Sequence, residues 1–188
     1  EKIKTVGSVK FDVSSLDVQP IESNPFILGA STHPGEDEII LNAYDKFSRK
    51  QDFKLYLCPR HPERAEKIVK QASLMGFRAQ IFSKLNSQTF DVCIIDKIGL
   101  LPSFYISSAM AFVGGSLVPR GGHNLIEPAA LGSPIIIGPH TFNFEDIVKE
   151  FLEVRACIKV LNEDELLAEI ELLASDSNAA NQYALKAK

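Results

Sequence analysis

The chain has 188 residues, 45% of them hydrophobic and 23% charged, which is enough apolar material for the core of one globular domain. Its net charge of −4 and its dispersed basic residues exclude a nucleic-acid footprint, so nucleic acid is not an expected partner. No apolar run approaches the roughly 18 residues of a membrane span, and the amino terminus lacks a signal-peptide pattern, so we expect this segment to be soluble.

Short apolar runs alternate with amphipathic stretches along most of the chain. Several runs lack the alternation of a one-sided sheet, which is typical of strands covered on both faces. Strands are predicted over residues 26–31, 53–58, 78–82, 91–96, 111–115, 134–138 and 157–160. Helices are predicted over residues 36–50, 63–76, 104–111, 124–132, 144–154 and 163–174. This alternation predicts an α/β fold, a Rossmann-like parallel sheet flanked by helices.

The two ends of the chain differ from this pattern. Residues 1–25 join a strand-like stretch, residues 5–13, to a polar, proline-containing stretch, and we interpret them as an interdomain strand and linker. Residues 26–176 form the predicted Rossmann-like domain, and residues 177–188 form a C-terminal tail with a weak helical pattern. Cys58, Cys93 and Cys157 are widely spaced within apolar runs, which indicates small core residues and no disulfide framework.

Polar residues collect where the predicted strands end, which is the edge at which open α/β sheets bind ligands. All four histidines follow strand ends: His33, His61, His123 and His140. Arg60, in PRHPE, offers a rigid fork of donors for phosphate or carboxylate, although an arginine beside a helix start is also common on surfaces. For Glu36, Asp37 and Glu38 we expect only an interaction with the dipole of the following helix.

The most unusual segment is residues 114–139, GGSLVPRGGHNLIEPAALGSPIIIGP. Its two glycine pairs allow close approach of the backbone to a ligand, and they could equally serve only to turn the chain. Asn124 is a suitable N-cap, with Glu127 in the capping-box position. The helix start suits a phosphate, and Glu127 could alternatively accept hydrogen bonds from ribose hydroxyls. No dinucleotide, Walker or nucleophile-elbow motif and no metal-ligand spacing is present, so neither a cofactor nor a metal is expected.

The stretch FVGGSLVPRGGHNLIEPAALGSPIIIGPHTFNFEDI, together with GSVKFD, STHPGE and PRHPER, closely resembles the C-terminal half of the bacterial 3-deoxy-D-manno-octulosonic acid (Kdo) transferases. The resemblance runs from Val6 to about Val160. It implies a GT-B glycosyltransferase, in which two Rossmann-like domains face each other and this half carries the site for the donor CMP-Kdo. It also implies transfer of Kdo to a lipid A precursor, during lipopolysaccharide biosynthesis at the cytoplasmic face of the Gram-negative inner membrane.

In this family the acceptor site, the membrane anchor and the catalytic base, a glutamate, belong to the other half. The resemblance therefore implies that the isolated domain is inactive and contains no catalytic residue. It implies contacts to CMP from Pro59, Arg60, Ile98, Gly99, Leu100, Asn124, Leu125, Ile126 and Glu127. Further candidates at the strand ends are Ser31, His33, His61, Gly115, Ser116, Gly122, His123 and His140.

The sequence departs from the family pattern at two places. Leu100 stands where the family often has a glutamate, so it can offer only backbone or packing contacts. The family's HNPLE is here HNLIE, which loses a proline but keeps Asn124 and Glu127. Two other functions remain open: the nucleotide-binding half of a UDP-sugar 2-epimerase, which shares the frame and a ribose-binding glutamate, and a non-catalytic nucleotide-binding domain.

Overall fold

The computed structural model describes Gln19, Ile21, residues 24–87 and residues 89–187. The predicted strand at residues 5–13 lies outside this part of the chain. The elements are β1 Phe26–Thr32, α1 Glu36–Ser48, β2 Lys54–Pro59, α2 Ala65–Leu74, β3 Ala79–Ile81, β4 Val92–Ile94, α3 Leu101–Tyr105, β5 Met110–Val113, α4 Ile126–Ala130, β6 Ile135–Ile137, α5 Glu145–Glu153, β7 Cys157–Lys159, α6 Glu163–Ser175 and α7 Ser177–Ala187. The seven strands predicted within residues 26–160 are thus confirmed.

All seven strands form one parallel sheet in the order β3-β4-β2-β1-β5-β6-β7. The chain builds outward from β1 on one side and then returns to the other side of β1 with β5. The strand order therefore reverses between β1 and β5, which is the switch point where doubly wound sheets bind ligands. The predicted Rossmann-like fold is confirmed.

Both faces of the sheet are covered by helices. On β2, Leu57 points to the face covered by α1, where it joins the same apolar cluster as Phe47. The preceding side chain, Tyr56, points to the opposite face. The centroid of its ring lies 4.7 Å from that of Phe26 and 5.1 Å from that of Phe104. Because side chains alternate along a strand, two buried faces require continuous apolar runs, as the sequence has.

The predicted helix over residues 104–111 is wrong in its bounds, because α3 spans Leu101–Tyr105 and β5 begins at Met110. Pro102 lies in the first turn of α3, a position that proline favours. The hydroxyl of Ser108 donates to the carbonyl of Tyr105 at 3.0 Å, and such side-chain bonds compete with helix continuation. Met110 then pairs with Ile27 in the sheet.

Residues 177–187 form a complete helix, α7, with Ala180 and Tyr183 packed against the main apolar cluster. The weak helical pattern of this segment is therefore stabilised by tertiary packing. None of the helices in the described ranges is long and apolar enough to cross a lipid bilayer.

Candidate functional site

The candidate site lies at the carboxyl edge of the sheet, around the switch point between β1 and β5. Since every strand is parallel, the segments that follow β1, β2, β4, β5 and β6 all emerge at this edge. The approach of β1 to β5 is close: a side chain at Gly114 would overlap the carbonyl of Ser31. Ser31 itself has a φ of 53°, a left-handed conformation that is rare for residues with a side chain. Backbone strain of this kind is concentrated at functional sites.

Glu36, in the first turn of α1, joins the segments that follow β1 and β5. Its side chain is fully buried. One carboxylate oxygen accepts from the backbone N–H groups of His33 at 2.9 Å and Gly115 at 2.7 Å. The other accepts from Ser116 and Leu117, each at 2.9 Å. Four N–H groups that could otherwise hold a phosphate are thus occupied by a carboxylate of the protein, and the loop after β5 is fixed against α1.

Asp37 forms a second buried connection, between α1 and the segment after β2. It accepts from the hydroxyl of Thr32 at 2.6 Å and is paired with Arg64. Arg64 also donates to the carbonyl of Thr32 at 3.0 Å. The sequence expectation for Glu36 and Asp37, a simple dipole interaction, is therefore incomplete, because both carboxylates hold together the strand ends that line the site.

Three of the four histidines meet at this edge. Nε2 of His33 lies 2.9 Å from Nε2 of His123, with the two rings nearly parallel, and the ring of His61 lies 6.1 Å from that of His33. Burial, followed by the neighbouring His33 and Arg60, lowers the pKa of His123 to about 4. Burial, followed by the charge of Arg120, lowers the pKa of His33. Both rings are therefore neutral at physiological pH.

A small pocket of about 90 Å³ lies between the ends of β2 and β4. Its lining includes Ser31, Pro59, Arg60, Ile98 and Gly99. The structure thus brings together two segments that the family resemblance implicates, the PRHPE segment and the turn after β4. Within the part of the chain that the structure describes, the guanidinium of Arg60 has no hydrogen-bond or carboxylate partner.

Leu100 follows Gly99 of this pocket in sequence. It is the N-cap residue of α3 and is half-buried. Ile98 is unusual for an aliphatic side chain because 88% of its surface is exposed. An exposed aliphatic residue at the edge of this pocket suits stacking against the flat, apolar face of a nucleobase.

The segment around α4 presents a free carboxylate. Asn124 accepts from the N–H of Ile126 at 3.0 Å, but the N-cap residue of α4 is Leu125, so the predicted N-cap is displaced by one residue. The expected capping box is not closed, since the carboxylate of Glu127 accepts no hydrogen bond from any described residue. Burial raises the pKa of Glu127. Leu125 and Ile126 are buried, so only their backbone groups could reach a ligand.

Tyr105 is a buried group that lies near both the end of β2 and α4. Burial is the main reason for the raised pKa of Tyr105, and the next contributors are Glu127 and Cys58. Arg60, two residues after Cys58, in turn lowers the pKa of His123. The unpaired guanidinium of Arg60 and the unpaired carboxylate of Glu127 thus both follow strands that end at the carboxyl edge, and we predict that they bind one ligand.

The remaining candidates from the sequence have mainly structural contacts. Ser116 is buried, and its hydroxyl donates to Val113 O at 2.5 Å and accepts from Gly138 N at 2.8 Å. Gly122 is also buried and donates to Gly115 O. His140 lies at the same edge, where its backbone N–H donates to Ser116 O at 2.8 Å. Ser116 and Gly122 thus shape the loop after β5 from a buried position, whereas His140 is partly exposed beside them.

A cavity of about 430 Å³ lies at the opposite, amino edge of the sheet, lined by residues such as Phe53, Arg78 and Asp91. Arg78 and Asp91 are paired with each other. Among the described residues, no group of three or more His, Cys, Asp or Glu side chains could hold a metal ion.

No protein-family model matches the chain. Individual relatives do match. The 3-deoxy-D-manno-octulosonic acid transferase of Aquifex aeolicus is 41% identical over 152 residues, which cover 80% of this chain and 42% of that protein. The enzyme of the same name from Haemophilus influenzae is 37% identical over 174 residues, which cover 85% of this chain and 40% of that protein.

A solved structure matches over nearly the whole of both chains. It is the crystal structure of the C-terminal CMP-Kdo binding domain of WaaA from Acinetobacter baumannii, with a TM-score of 0.82, 29% identity and 88% of each chain covered. The chain belongs to the Kdo transferase family. It corresponds to the C-terminal part of these enzymes and spans about two fifths of the length of the curated relatives described above. The recognition made from the sequence is confirmed.

More distant structures share only the fold of this Kdo transferase domain. A UDP-N-acetylglucosamine 2-epimerase from Listeria monocytogenes superposes with a TM-score of 0.57 at 15% identity, and the rhamnosyltransferase SpnG with 0.57 at 12%. The epimerase alternative is therefore the weaker one.

Proposed function

We propose that this chain is the donor-binding half of a glycosyltransferase that uses CMP-Kdo. The observation that carries the proposal is the combination of an unpaired guanidinium, Arg60, and an unpaired, half-buried carboxylate, Glu127, at the switch-point edge of a Kdo transferase domain. In this proposal Arg60 binds the phosphate, Glu127 accepts from the two ribose hydroxyls, and the turn formed by Ile98, Gly99 and Leu100 holds the cytosine. Pro59, Asn124 and the backbone of Leu125 and Ile126 complete the site.

The role of this half is to stabilise the leaving group. An acceptor hydroxyl attacks the anomeric carbon of Kdo with inversion, and the bond to the phosphate oxygen breaks as CMP leaves. Negative charge then grows on the phosphate, and a positioned guanidinium offsets it without reorganisation. Because α4 has only five residues and Ile126 N is already bonded to Asn124, side chains supply more of this positive field than a helix dipole does.

The acceptor in this proposal is a lipid A precursor, and the reaction belongs to lipopolysaccharide biosynthesis at the cytoplasmic face of the Gram-negative inner membrane. The catalytic base, the acceptor site and the membrane anchor would belong to the part of the relatives that this chain does not span. The isolated chain should therefore bind the donor and lack transferase activity.

Calorimetric titration of the 188-residue chain with CMP and with UMP tests the proposal. We expect CMP to bind at least about tenfold more tightly than UMP, which corresponds to about 1.4 kcal/mol. Arg60→Ala and Glu127→Ala should each weaken CMP binding by about tenfold or more. Arg49→Ala is the matched control, because Arg49 lies on the surface of the opposite edge and, among the described residues, pairs only with Asp45.

Tighter binding of UMP would favour the epimerase-like function instead. Failure of the folded chain to bind CMP, or unchanged CMP affinity in both variants of the site, would overturn the proposal.

A further inference from the structure

The carboxyl edge holds more positive charge than one phosphate requires. Besides Arg60, a second arginine, Arg120, extends from the loop after β5 toward the histidine pair, and its charge lowers the pKa of His33. Within the described ranges the guanidinium of Arg120 has no hydrogen-bond or carboxylate partner. Arg64, by contrast, is paired with Asp37. Two uncompensated guanidinium groups therefore lie near His33 at the carboxyl edge, in a chain of net charge −4.

Apart from Glu127, which the proposed function assigns to the ribose, the carboxylates near this edge that are discussed above have partners. Glu36 accepts four backbone hydrogen bonds, and Asp37 is paired with Arg64 and Thr32. Glu63 lies 3.7 Å from the imidazole of His61. The positive charge of Arg60 and Arg120 is consequently left for a ligand to balance, because hydrogen bonds between a guanidinium and an anionic group are strong and directional.

The histidine pair lies on the Arg120 side of this edge. A Cβ atom built on Gly115 would lie 3.3 Å from Nε2 of His123 and 3.5 Å from Cβ of Arg120, so both side chains contact the same point of the loop. The nucleotide pocket, with Arg60 and Ile98, is lined instead by the segments after β2 and β4. The cationic groups thus fall into two sets on either side of the end of β1.

The contact between the two imidazoles determines what the pair can bind. With Nε2 of His33 and His123 only 2.9 Å apart, one ring donates through Nε2–H and the other accepts, so the accepting ring carries its proton on Nδ1. One more proton would place an N–H on the second Nδ1 as well. The pair therefore offers one or two N–H donors beside Arg120, and an anion that binds there favours uptake of the additional proton.

A Kdo donor carries two anions on one carbon. An octulosonic acid is a 2-keto acid, so its anomeric carbon bears a carboxylate directly and, in the activated form, the phosphate of CMP. We propose that Arg120, together with the pair of His33 and His123, binds the carboxylate of the sugar acid, while Arg60 binds the phosphate. This inference rests on the proposed function and deepens it, because it assigns the residues that select an acidic sugar over a neutral one.

Selectivity follows from the cost of leaving these groups without a partner. A nucleotide sugar without a carboxylate would leave the guanidinium and the imidazole N–H desolvated and unpaired, and a site built for a polar group rejects ligands that lack it. The same arrangement holds the anomeric carbon between two fixed anions, which orients it for attack.

Calorimetry with CMP and with CMP-Kdo, on the same chain, tests the assignment. The wild type should bind CMP-Kdo at least about tenfold more tightly than CMP. Arg120→Gln should reduce the affinity for CMP-Kdo to about that for CMP and leave the affinity for CMP within about twofold. Arg120 is exposed, so this variant should fold normally. His123→Asn should have the same selective effect, and Arg49→Gln, which removes the same charge elsewhere, should change neither affinity.

The outcomes distinguish an error in the carboxylate assignment from an error in the proposed function. If Arg120→Gln weakens CMP and CMP-Kdo by the same factor, the cluster serves the phosphate and the carboxylate assignment is wrong while the proposed function stands. Equal affinity of the wild type for CMP and CMP-Kdo would also overturn the assignment alone. Absence of CMP binding to the folded wild type would overturn the proposed function itself.

Discussion

The carboxylate of Glu36 lies 2.7 Å from the backbone nitrogen of Gly115, a residue 79 positions further along the chain. The same carboxylate accepts three further hydrogen bonds from backbone N–H groups. Together these bonds fix the loop after β5 to the start of α1. Arg120 and His123 project from that loop, and His33 lies between β1 and α1. The geometry of the proposed anion site therefore depends on a residue that does not itself contact the ligand.

Replacing Glu36 by Gln should destabilise the fold. The amide keeps one acceptor oxygen but turns an NH₂ group toward backbone N–H groups, so buried donors lose their partner. We expect a loss of about 3 kcal/mol in the free energy of unfolding, measured by urea denaturation. Glu38→Gln, at an exposed position of the same turn, should change it by less than about 0.5 kcal/mol. Equal effects of the two substitutions would contradict a structural role for the Glu36 contacts.

A side chain at Gly138 should be equally harmful, for a steric reason. A Cβ atom there would overlap the carbonyl oxygen of Ser116. Gly138→Ala should therefore cost about 3 kcal/mol, because the end of β6 cannot move away without breaking its bond to the Ser116 hydroxyl. In Gly76→Ala the new methyl group meets no atom within 4 Å, and only the positive φ of 94° opposes it, at about 1 kcal/mol. Thermal unfolding of both variants measures the difference.

Stability should fall in acid partly because of His123. Its pKa is about 4 in the folded protein, against 6.5 for an unperturbed histidine, so the unfolded chain binds more protons between these values. This contribution is fully present above pH 6.5 and is lost progressively as the pH falls toward 4. Thermal unfolding from pH 7.5 to 4 should show a smaller drop in melting temperature for His123→Asn than for the wild type. An identical pH dependence in the two proteins would refute the depressed pKa.

Binding of CMP should depend on the ionisation of Glu127. Burial raises the pKa of this carboxyl, and once protonated it accepts poorly from two ribose hydroxyls. Wild-type affinity should therefore decrease as the pH falls through the raised pKa, more steeply than that of Glu127→Gln. The variant keeps the titrations of the phosphate and the histidines, so the ratio of the two dissociation constants, measured by calorimetry between pH 4.5 and 7.5, isolates Glu127. A constant ratio would argue against its contact with the ribose.

Local patterns predicted the elements well. Apolar runs such as DVCII, residues 91–95, and PIIIG, residues 134–138, predict strands. Burial on both faces leaves no polar residue in the middle of a central strand. The prediction of a side-chain bond from Asn124 to the start of α4 depends on neighbours in sequence, and it misplaced the N-cap, which is Leu125, by one residue. The helix over residues 104–111 was misplaced because Ser107 and Ser108, which end α3 through bonds to backbone carbonyls, read equally well as helical surface positions.

The sequence by itself determined the Rossmann-like class, the edge of the sheet where polar groups collect and, through the family resemblance, the PRHPE and HNLIE segments. Only the tertiary structure decided which of those groups touch. His33 and His123 are 90 residues apart, and they meet because β5 inserts beside β1 and not beside β4. In the sequence, Glu36 cannot be distinguished from any other acidic residue in a first helical turn. Its bonds to the loop after β5 are visible only in the folded structure. Strand order is set by the packing of the whole core, so contacts between strand ends cannot be derived from local sequence patterns.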